Sequence, residues 1–131
     1  MSYIDANIIL RYVLNDHPEL SPKAKKIIDE QIVETPIEVL CEVVYVLKRV
    51  YGISQREIAD TLLGFYENIN CILPHREAVF KGLKYYGEQT LDFVDCLLAG
   101  YYEAENIIIN TFDDKLYKLL AIISKTKNSA L

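Results

Sequence analysis

Short apolar runs alternate with stretches of helical spacing along the chain. The run at residues 2–4 precedes apolar positions that recur at helical spacing up to Val13, which predicts a strand followed by a helix. Further short runs at residues 32–33, 71–73 and 106–111 are predicted strands, and the last of them is β-branched, as is typical of a strand covered on both faces. Strands that alternate with helices predict an α/β fold with a mainly parallel sheet between helical layers, as in a three-layer α/β/α sandwich.

Capping signals set the expected helix boundaries. Thr35 with Glu38, and Ser54 with Glu57, match the capping box that begins a helix, and Ser21 before a proline is typical of an N-cap. Gly87 is expected to close a helix, and a polar tail is expected at residues 124–129. The predicted helices span about residues 8–13, 21–30, 36–50, 54–66, 76–86, 91–105 and 113–123.

Length and composition predict an ordinary globular protein. The 131 residues, of which 51% are hydrophobic and 25% charged, fit one domain over residues 1–131. No uninterrupted apolar stretch approaches the ~18 residues of a membrane span, and the first residues lack the basic start and apolar run of a signal peptide. We therefore expect a cytoplasmic protein without a membrane partner.

The sequence offers little thiol or imidazole chemistry. Three cysteines without a CxxC pair argue against a disulfide framework, and the two histidines have no second His or Cys at zinc-ligand spacing. The net charge of -5, from 14 basic and 19 acidic residues, lacks the basic excess with which non-specific nucleic-acid binders neutralise phosphates. Any action on nucleic acid would therefore need cations.

Acidic residues stand where parallel α/β folds place their ligand sites. Asp5 directly follows the first predicted strand, and Asp113 and Asp114 follow the most apolar one. Ligands of open parallel sheets bind outside the carboxyl ends of the strands, where the connections diverge. We therefore expect these carboxylates at the binding edge of the sheet.

Other acids interrupt apolar helices. Glu42 has four apolar neighbours in the middle of its helix, and Asp92 and Asp95, three apart, share one helix face. Carboxylates in apolar surroundings repel one another and are costly to bury unless protons or cations compensate. A site for Mg²⁺ or Mn²⁺ would resolve the conflict, and two such ions are able to clamp the attacking and leaving oxygens of a phosphodiester.

A structural role also explains each acid taken singly. An aspartate after a strand is often a turn former or a helix N-cap, which applies equally to Asp5, Asp92 and Asp113. A mid-helix glutamate such as Glu42 often faces solvent. The joint occurrence of the acids favours the metal site without excluding these roles.

Basic and aromatic residues are candidates for nucleic-acid contacts. Arg11, one helical turn beyond Asn7, is the best basic candidate near the first acid. The pairs Tyr85-Tyr86 and Tyr101-Tyr102 are able to stack on unpaired bases, although core packing or a dimer interface is their more usual role. Further candidates for phosphate contacts, equally explained as solvated helix faces, are Lys23, Lys25, Lys26, Lys48, Arg49, Lys81 and Lys84.

Four segments resemble the sequence blocks of PIN-domain nucleases in order and spacing. They are Tyr3-Ile4-Asp5-Ala6-Asn7, residues 39–47 around Glu42, residues 91–99 around Asp92 and Asp95, and Thr111-Phe112-Asp113. Within that family the chain is most similar to the VapC-type toxins of prokaryotic toxin–antitoxin pairs, because residues 8–12 and 16–19 also fit. Cys96 departs from the pattern, since it stands where the family usually has alanine.

The resemblance implies a Mg²⁺- or Mn²⁺-dependent endoribonuclease in which a metal-activated water is the nucleophile. The catalytic, metal-binding acids that it implies are Asp5, Glu42, Asp95 and Asp113. The supporting residues that it implies are Asn7, Asp92, Thr111 and Arg11. The doubled acid at positions 113 and 114 leaves the fourth ligand open between the two. The implied partners are an RNA substrate, a small antitoxin protein and a second copy of the chain in a homodimer.

Two other classes of protein compete with this interpretation. A phosphoacceptor receiver domain needs two acids after the first strand, an aspartate after a middle strand and a lysine after a late one. This chain has Asp5 alone, no aspartate after Val33 or Cys71, and Thr-Phe-Asp at the late position. A catalytically idle PIN-like interaction domain would be free to lose its acids, and this chain keeps all of them. Phosphotransfer and RNA-cleavage assays distinguish the three classes.

Overall fold

The computed structural model describes residues 1–129 as a helix-rich α/β structure. It contains two compact units: unit 1 covers Met1–Pro74, and unit 2 begins at His75. In chain order the elements are β1 (Ser2–Tyr3), α1 (Ala6–Leu14), α2 (Leu20–Glu30), β2 (Val33–Glu34), α3 (Ile37–Arg49), α4 (Gln55–Asn68), β3 (Cys71–Ile72), α5 (Arg76–Glu88), α6 (Phe93–Glu105) and α7 (Asp114–Ser129). None of these helices is both long and apolar enough to cross a membrane.

Unit 1 contains a three-stranded parallel sheet in the order β1-β2-β3. Ser2 pairs with Val33, and Val33 pairs in turn with Cys71, so that β2 is the central strand. Parallel neighbours need a crossover connection, which α1 with α2 supplies between β1 and β2, and α3 with α4 supplies between β2 and β3. The structure confirms the first three predicted strands, although each is only two residues long.

Apolar helix faces supply the core of unit 1. The apolar face of α3 is buried, and Leu40 has no accessible surface. On α1 the predicted periodic position Ile9 is buried, whereas Ile8, Tyr12 and Val13 are half-buried. Phe65 on α4 packs edge-to-face on the rings of Tyr12 and Tyr66, with centroids 5.2 and 4.8 Å apart. The helical periodicity of the sequence therefore identifies the buried face of α3 and only part of that of α1.

Thr35 is buried in the core and does not cap α3, which has no side-chain cap. Its hydroxyl accepts a hydrogen bond from the Tyr66 hydroxyl (2.9 Å) and lies 3.3 Å from the Cys71 sulfur. The capping box predicted here is wrong, because buried hydroxyl groups need partners and the threonine oxygen satisfies Tyr66. Burial raises the pKa of Tyr66, which keeps its hydroxyl a donor.

The other two predicted caps differ in outcome. Ser54 caps α4 as expected, since its hydroxyl accepts the N–H of Glu57 at 3.2 Å. Ser21 does not cap α2, because that helix begins at Leu20 and encloses it. The Ser21 hydroxyl accepts the N–H of His17 instead (3.1 Å), which ties the preceding turn to the helix.

Two glycines allow α5 and α6 of unit 2 to approach closely. A Cβ at Gly82 would lie 3.0 Å from the Cα of Leu97, and a Cβ at Gly100 would overlap the carbonyl oxygen of Ala78. Both positions therefore need a residue without a side chain. The contact buries Cys96 completely.

Two helices of unit 2 run further than predicted. α5 continues past Gly87, and α7 continues through residues 124–129, which were expected to form a polar tail. Lys127 in this last stretch donates a hydrogen bond to the Tyr102 carbonyl (3.0 Å), and its ammonium lies 4.3 Å from the centroid of the Tyr102 ring. This tertiary contact holds a segment whose polarity alone indicated no helix.

The β-branched run between α6 and α7 is not a strand. Asn106 ends α6 in the left-handed conformation (φ 57°), and residues 107–113 form no regular element. Ile108 is 79% exposed. Residues 75–129 contain no strand, so the run has no sheet edge within its own unit, and β-propensity depends on such neighbours. The predicted strand at 106–111 is therefore wrong, and Asp113 and Asp114 do not follow a strand.

A polar network joins α5 to α6. Glu103 accepts hydrogen bonds from the Tyr85 hydroxyl and from the Lys81 ammonium (2.8 Å). Burial by itself raises the pKa of Glu103, but the hydrogen bonds from Lys81 and Tyr85, together with the charges of Lys81 and Lys127, bring it below its ordinary value. Glu103 is therefore an ionised anchor between the two helices.

Gly100→Ala should destabilise the protein by about 1–3 kcal/mol, because the added methyl group collides with the backbone of α5. Gly64→Ala is the matched control, since a Cβ at that helical position meets nothing within 4 Å. It should leave stability unchanged or raise it slightly. Urea unfolding of both variants measures the difference, and equal stability would contradict the close approach of the helices.

Glu103→Gln should lower stability at neutral pH and weaken the loss of stability on acidification. A lowered folded-state pKa means that the folded protein binds fewer protons at this carboxyl than the unfolded chain does. Its stabilisation is therefore complete above the unfolded pKa of about 4.3 and is lost as the pH falls through the folded value. Unfolding curves between acid and neutral pH measure this. The exposed Glu67→Gln is the control, and a parallel pH profile for both variants would rule out the anchor.

Candidate metal centre

An open acidic cavity of about 430 Å³ lies in unit 2, where α6 and α7 begin. Aspartates dominate its polar lining. The residues that line it are Thr90, Leu91, Asp92, Asp95, Phe112, Asp113, Asp114 and Lys115. Four carboxylates against one ammonium give the cavity a negative potential, which attracts cations.

Asp95 is the half-buried acid of this cavity and lies in the first turn of α6. Burial raises its pKa, and the negative charges of Asp113 and Asp92 raise it further. A carboxylate perturbed in this way is stabilised by a proton or by a cation. The sequence-based expectation of repulsion among Asp5, Glu42, Asp95 and Asp113 stays a prediction, and the pKa of Asp95 supports it for the pair Asp95 and Asp113.

Asp113 is anchored by the helix that follows it. Its Oδ1 accepts the N–H of Leu116 at 2.8 Å, and its own N–H donates to the Thr111 hydroxyl at 3.0 Å. Asp113 is therefore the N-cap of α7, which begins at Asp114. One carboxylate oxygen is engaged in the cap, and Thr111 fixes the backbone before it, so the other oxygen is free to bind a ligand in a set direction.

Asp92 and Asp114 lie at the starts of α6 and α7, and within the described residues neither caps its helix with its side chain. Asp92 precedes α6, is exposed, and makes no side-chain cap. Asp114 lies in the first turn of α7, where its charge interacts favourably with the helix dipole. All three of Asp92, Asp113 and Asp114 line the cavity, and Asp113 is the one whose carboxylate is oriented by a helix cap.

Asp5 lies in unit 1, between β1 and α1. The N–H of Ile4 still pairs with the Glu34 carbonyl (3.1 Å), so the sheet ladder holds the chain up to the acid. Asp5 Oδ1 accepts the N–H of Ile8 at 3.2 Å and so caps α1. Asn7 is exposed in the first turn of the same helix. The capping role considered for Asp5 and Asp113 is therefore real at both.

Glu42 lies on the exposed face of α3, opposite the buried Leu40, Val43 and Val44. The apolar setting expected from its neighbours in sequence is wrong, because those neighbours point to the other side of the helix. Asp5, Asp92 and Asp113 are likewise exposed. Among the six acids singled out from the sequence, Asp95 alone is partly buried.

Arg11 is held within unit 1. Its guanidinium donates hydrogen bonds to the Asp16 carboxylate (2.8 Å) and to the Tyr51 hydroxyl (2.7 Å), and the side chain is 14% exposed. One N–H of each terminal nitrogen is used in this way, whereas the buried Nε has no hydrogen-bond partner among the described residues. Its contribution is to fix the end of α1 and the turn that follows.

Several other basic and aromatic candidates have structural partners. Tyr86 is buried, Tyr85 donates to Glu103, and Tyr102 lies beneath the Lys127 ammonium, so packing is the main use of these rings. Three of the lysines are paired with nearby side chains: Lys25 with Asp29, Lys48 with Gln55, and Lys81 with Glu103, each at 2.8 Å.

The donor set of the cavity fits a hard divalent cation. It consists of carboxylate oxygens, and burial followed by the charges of Asp95 and Asp92 raises the pKa of the adjacent Cys96 thiol to about 12, so that no thiolate competes. Across residues 1–129 no three His, Cys, Asp or Glu side chains form a ready-made cage. Mg²⁺ commonly keeps several waters and binds through one or two carboxylates, which this cavity supplies.

Besides the aspartates, Thr90 and Leu91, the cavity is lined by Phe112 and Lys115, neither of which was predicted as a site residue from the sequence. Phe112 is fully exposed beside Asp113, and Lys115 is exposed on the first turn of α7. The aromatic residue inside the Thr-Phe-Asp block was the available signal. Its exposure follows from the irregular backbone of residues 107–113, which the predicted strand did not anticipate.

The sequence matches a family model described as the PIN domain over residues 2–120. The match covers most of the chain, includes all of the acids discussed above, and confirms the resemblance at the level of the family. No curated protein and no solved structure is similar enough to count as a match.

Asp113→Ala should lower stability by about 0.5–2 kcal/mol, because it removes the N-cap of α7. Asp113→Asn should remain close to the unsubstituted protein, since asparagine caps helices as well as aspartate does. Chemical unfolding without divalent ions measures both. Equal losses for the two variants would contradict the capping role and would leave the Asn variant unsuitable as a test of charge alone.

Proposed function

Since the chain belongs to the PIN domain family, we propose that it is a metal-dependent endoribonuclease and the toxin of a VapC-type toxin–antitoxin pair. Proteins of this family are commonly nucleases, and these generally use divalent metal ions. The proposed cofactor is Mg²⁺ or Mn²⁺, and the proposed substrate is single-stranded or looped RNA. The proposal includes the α/β/α sandwich and the single nuclease domain expected from the sequence.

The observation that best supports the proposal is the environment of Asp95. Its pKa is raised by burial and by two neighbouring carboxylates, although the chain has basic residues available elsewhere. Structural carboxylates are ordinarily paired with a cationic side chain or fully hydrated. A cluster that keeps its repulsion is typical of a site that is completed by a cation.

The proposed metal ligands, and catalytic residues, are Asp5, Glu42, Asp95 and Asp113. These four carboxylates would hold a divalent ion, which would supply an activated water and charge neutralisation for hydrolysis of a phosphodiester. Asp5 and Asp113 each use one oxygen as a helix cap, so the cap orients the carboxylate toward its ligand. Exposure of Glu42 leaves its carboxylate accessible.

The supporting residues have narrower proposed roles. Thr111 fixes the backbone before Asp113 through its hydroxyl, and Asp92 adds negative charge beside Asp95. Asn7 presents an exposed amide one turn from the Asp5 cap. Arg11 holds the end of α1 through Asp16 and Tyr51 and acts on the substrate only indirectly.

The proposed partners are RNA, a small antitoxin protein and a second copy of the chain. RNA follows from the family, while the antitoxin and the homodimer rest on the similarity of residues 8–12 and 16–19 to VapC-type toxins. A cytoplasmic location fits these partners, since its substrate and inhibitor are made there. A reading frame for a small DNA-binding protein next to this gene would support the toxin assignment.

Cleavage of single-stranded RNA should require Mg²⁺ or Mn²⁺ and should stop on addition of a chelator. Asp95→Asn and Asp5→Asn should each lower the rate by orders of magnitude, because each removes an oxygen that fixes the position of the metal ion. Denaturing gels of end-labelled RNA measure the rates. The control is Asp29→Asn on α2, whose carboxylate pairs with Lys25 and has no proposed role.

Thermal melting provides a second measure of the same site. A ligand that binds only the folded state stabilises it by RT ln(1 + [L]/Kd), about 2.7 kcal/mol at a hundredfold excess over Kd. Mg²⁺ should therefore raise the melting temperature of the unsubstituted protein. Without metal, Asp95→Asn should melt at a higher temperature than the unsubstituted protein, and Mg²⁺ should raise the melting temperature of this variant less. Undiminished cleavage by Asp95→Asn would overturn the ligand assignment. RNA binding without any cleavage would favour the idle interaction domain.

A further inference from the structure

Phe112 presents its ring to solvent at the rim of the acidic cavity. Phe112 is fully exposed, whereas Phe65 and Phe93 are each 5% exposed. Phe80 is covered differently, since the Arg76 guanidinium lies 4.5 Å from the centroid of its ring. Of the four phenylalanines, all within the described residues, Phe112 is the one without any cover.

The backbone on both sides of this exposed ring is fixed. Asp113 donates its N–H to the Thr111 hydroxyl and accepts the N–H of Leu116, so the residues before and after Phe112 are tied to the start of α7. The Cα atom of Phe112 is therefore held at a set place, while both faces of its ring stay exposed. Such an arrangement suits a flat ligand better than it suits packing.

We propose that Phe112 is a substrate-positioning residue whose ring stacks on an unpaired base next to the phosphodiester held at the acidic cavity. This inference rests on the proposed nuclease function and narrows its substrate to a single-stranded segment with a base turned out of the stack. Neighbouring Cα atoms are about 3.8 Å apart, so a ring next to Asp113 reaches the nucleotide that flanks a phosphate bound there. Every base has a π-face, and aromatic side chains use it to bind single strands.

The surroundings of Phe112 favour a nucleotide over a protein partner. Its cavity is lined mainly by polar residues, and Lys115, which forms no ion pair within the described residues, places an ammonium on the same rim. Rings interleaved with basic side chains are typical of single-strand binding. The aromatic anchors of protein interfaces lie instead among apolar neighbours that exclude water. An apolar cavity of about 380 Å³ exists elsewhere in unit 2, lined in part by Ile108 and Tyr117, and Phe112 is not among its lining residues.

The test measures RNA affinity separately from cleavage. A short fluorescein-labelled single-stranded RNA is titrated with the full-length protein in Ca²⁺, and fluorescence anisotropy gives the Kd. Phe112→Ala should weaken binding by roughly 5- to 150-fold, the range expected for loss of one stacked base. Phe112→Tyr and Phe112→Trp should retain affinity because they keep an aromatic face, and Phe112→Leu should bind as weakly as the alanine variant.

Four controls distinguish base stacking from a general apolar contact or a loss of folding. Tyr117→Ala removes another exposed aromatic residue of unit 2, 65% exposed and on the apolar cavity, and should leave the Kd unchanged. Duplex RNA should bind the alanine variant and the unsubstituted protein equally, since its bases are already stacked. An abasic nucleotide next to the mapped cleavage position should weaken RNA binding by the unsubstituted protein, and it should not weaken RNA binding by Phe112→Ala any further. Because the ring has no packing contacts to lose, melting curves of the variants should coincide.

The outcomes distinguish this inference from the proposed function. Unchanged single-strand affinity of Phe112→Ala in a protein that cleaves RNA would overturn the stacking role alone. Full affinity of Phe112→Leu would also overturn it, because a merely apolar contact would then suffice. A change in self-association without a change in RNA affinity would assign Phe112 to a protein interface. Lost affinity of Phe112→Ala in a protein that never cleaves RNA would uphold stacking and contradict the nuclease.

Discussion

The carboxylates of Asp92, Asp95 and Asp113 repel one another, and the structure holds them together nonetheless. The raised pKa of Asp95 records this repulsion together with partial burial. Their backbones are placed at the starts of α6 and α7, and the Asp113 side chain is also engaged in its cap. The ionised form of Asp95 is therefore disfavoured in this cavity, and this feature supports the proposed cation site.

Ordinary packing forces impose this arrangement. α6 is pressed against α5 where Gly82 and Gly100 let the backbones approach, and the buried Phe93 and Cys96 lock the first turn that carries Asp95. Further along the same helices, the ionised Glu103 is bonded to Lys81 and Tyr85. These contacts between α5 and α6 determine where the first turn of α6, and with it Asp95, lies.

Two of the proposed metal ligands are also helix caps. Asp5 and Asp113 each cap a helix with one oxygen, and the cap leaves the second oxygen oriented and available. A capping interpretation and a ligand interpretation of these acids are therefore compatible. Phe112 differs, because its neighbours are fixed by the same Asp113 cap while its own ring makes no packing contact. Phe112 therefore differs from the buried aromatic residues in combining a fixed backbone with a fully exposed side chain.

Local patterns in the sequence determined the helices, the three short parallel strands and the identity of the acids. Helical periodicity reports which face of α1 or α3 is apolar, and the Ser54 cap depends only on residues three apart, so both are legible from neighbours in the chain. The family match rests on the same linear order of acids.

Tertiary structure decided what depends on distant partners. The Thr35 hydroxyl accepts a hydrogen bond from Tyr66 and does not form the predicted helix cap. The run at 106–111 forms no strand, because the described part of its unit offers no sheet edge. Proximity also decided that Asp95 is the perturbed acid, since a pKa depends on burial and on charges brought near by folding.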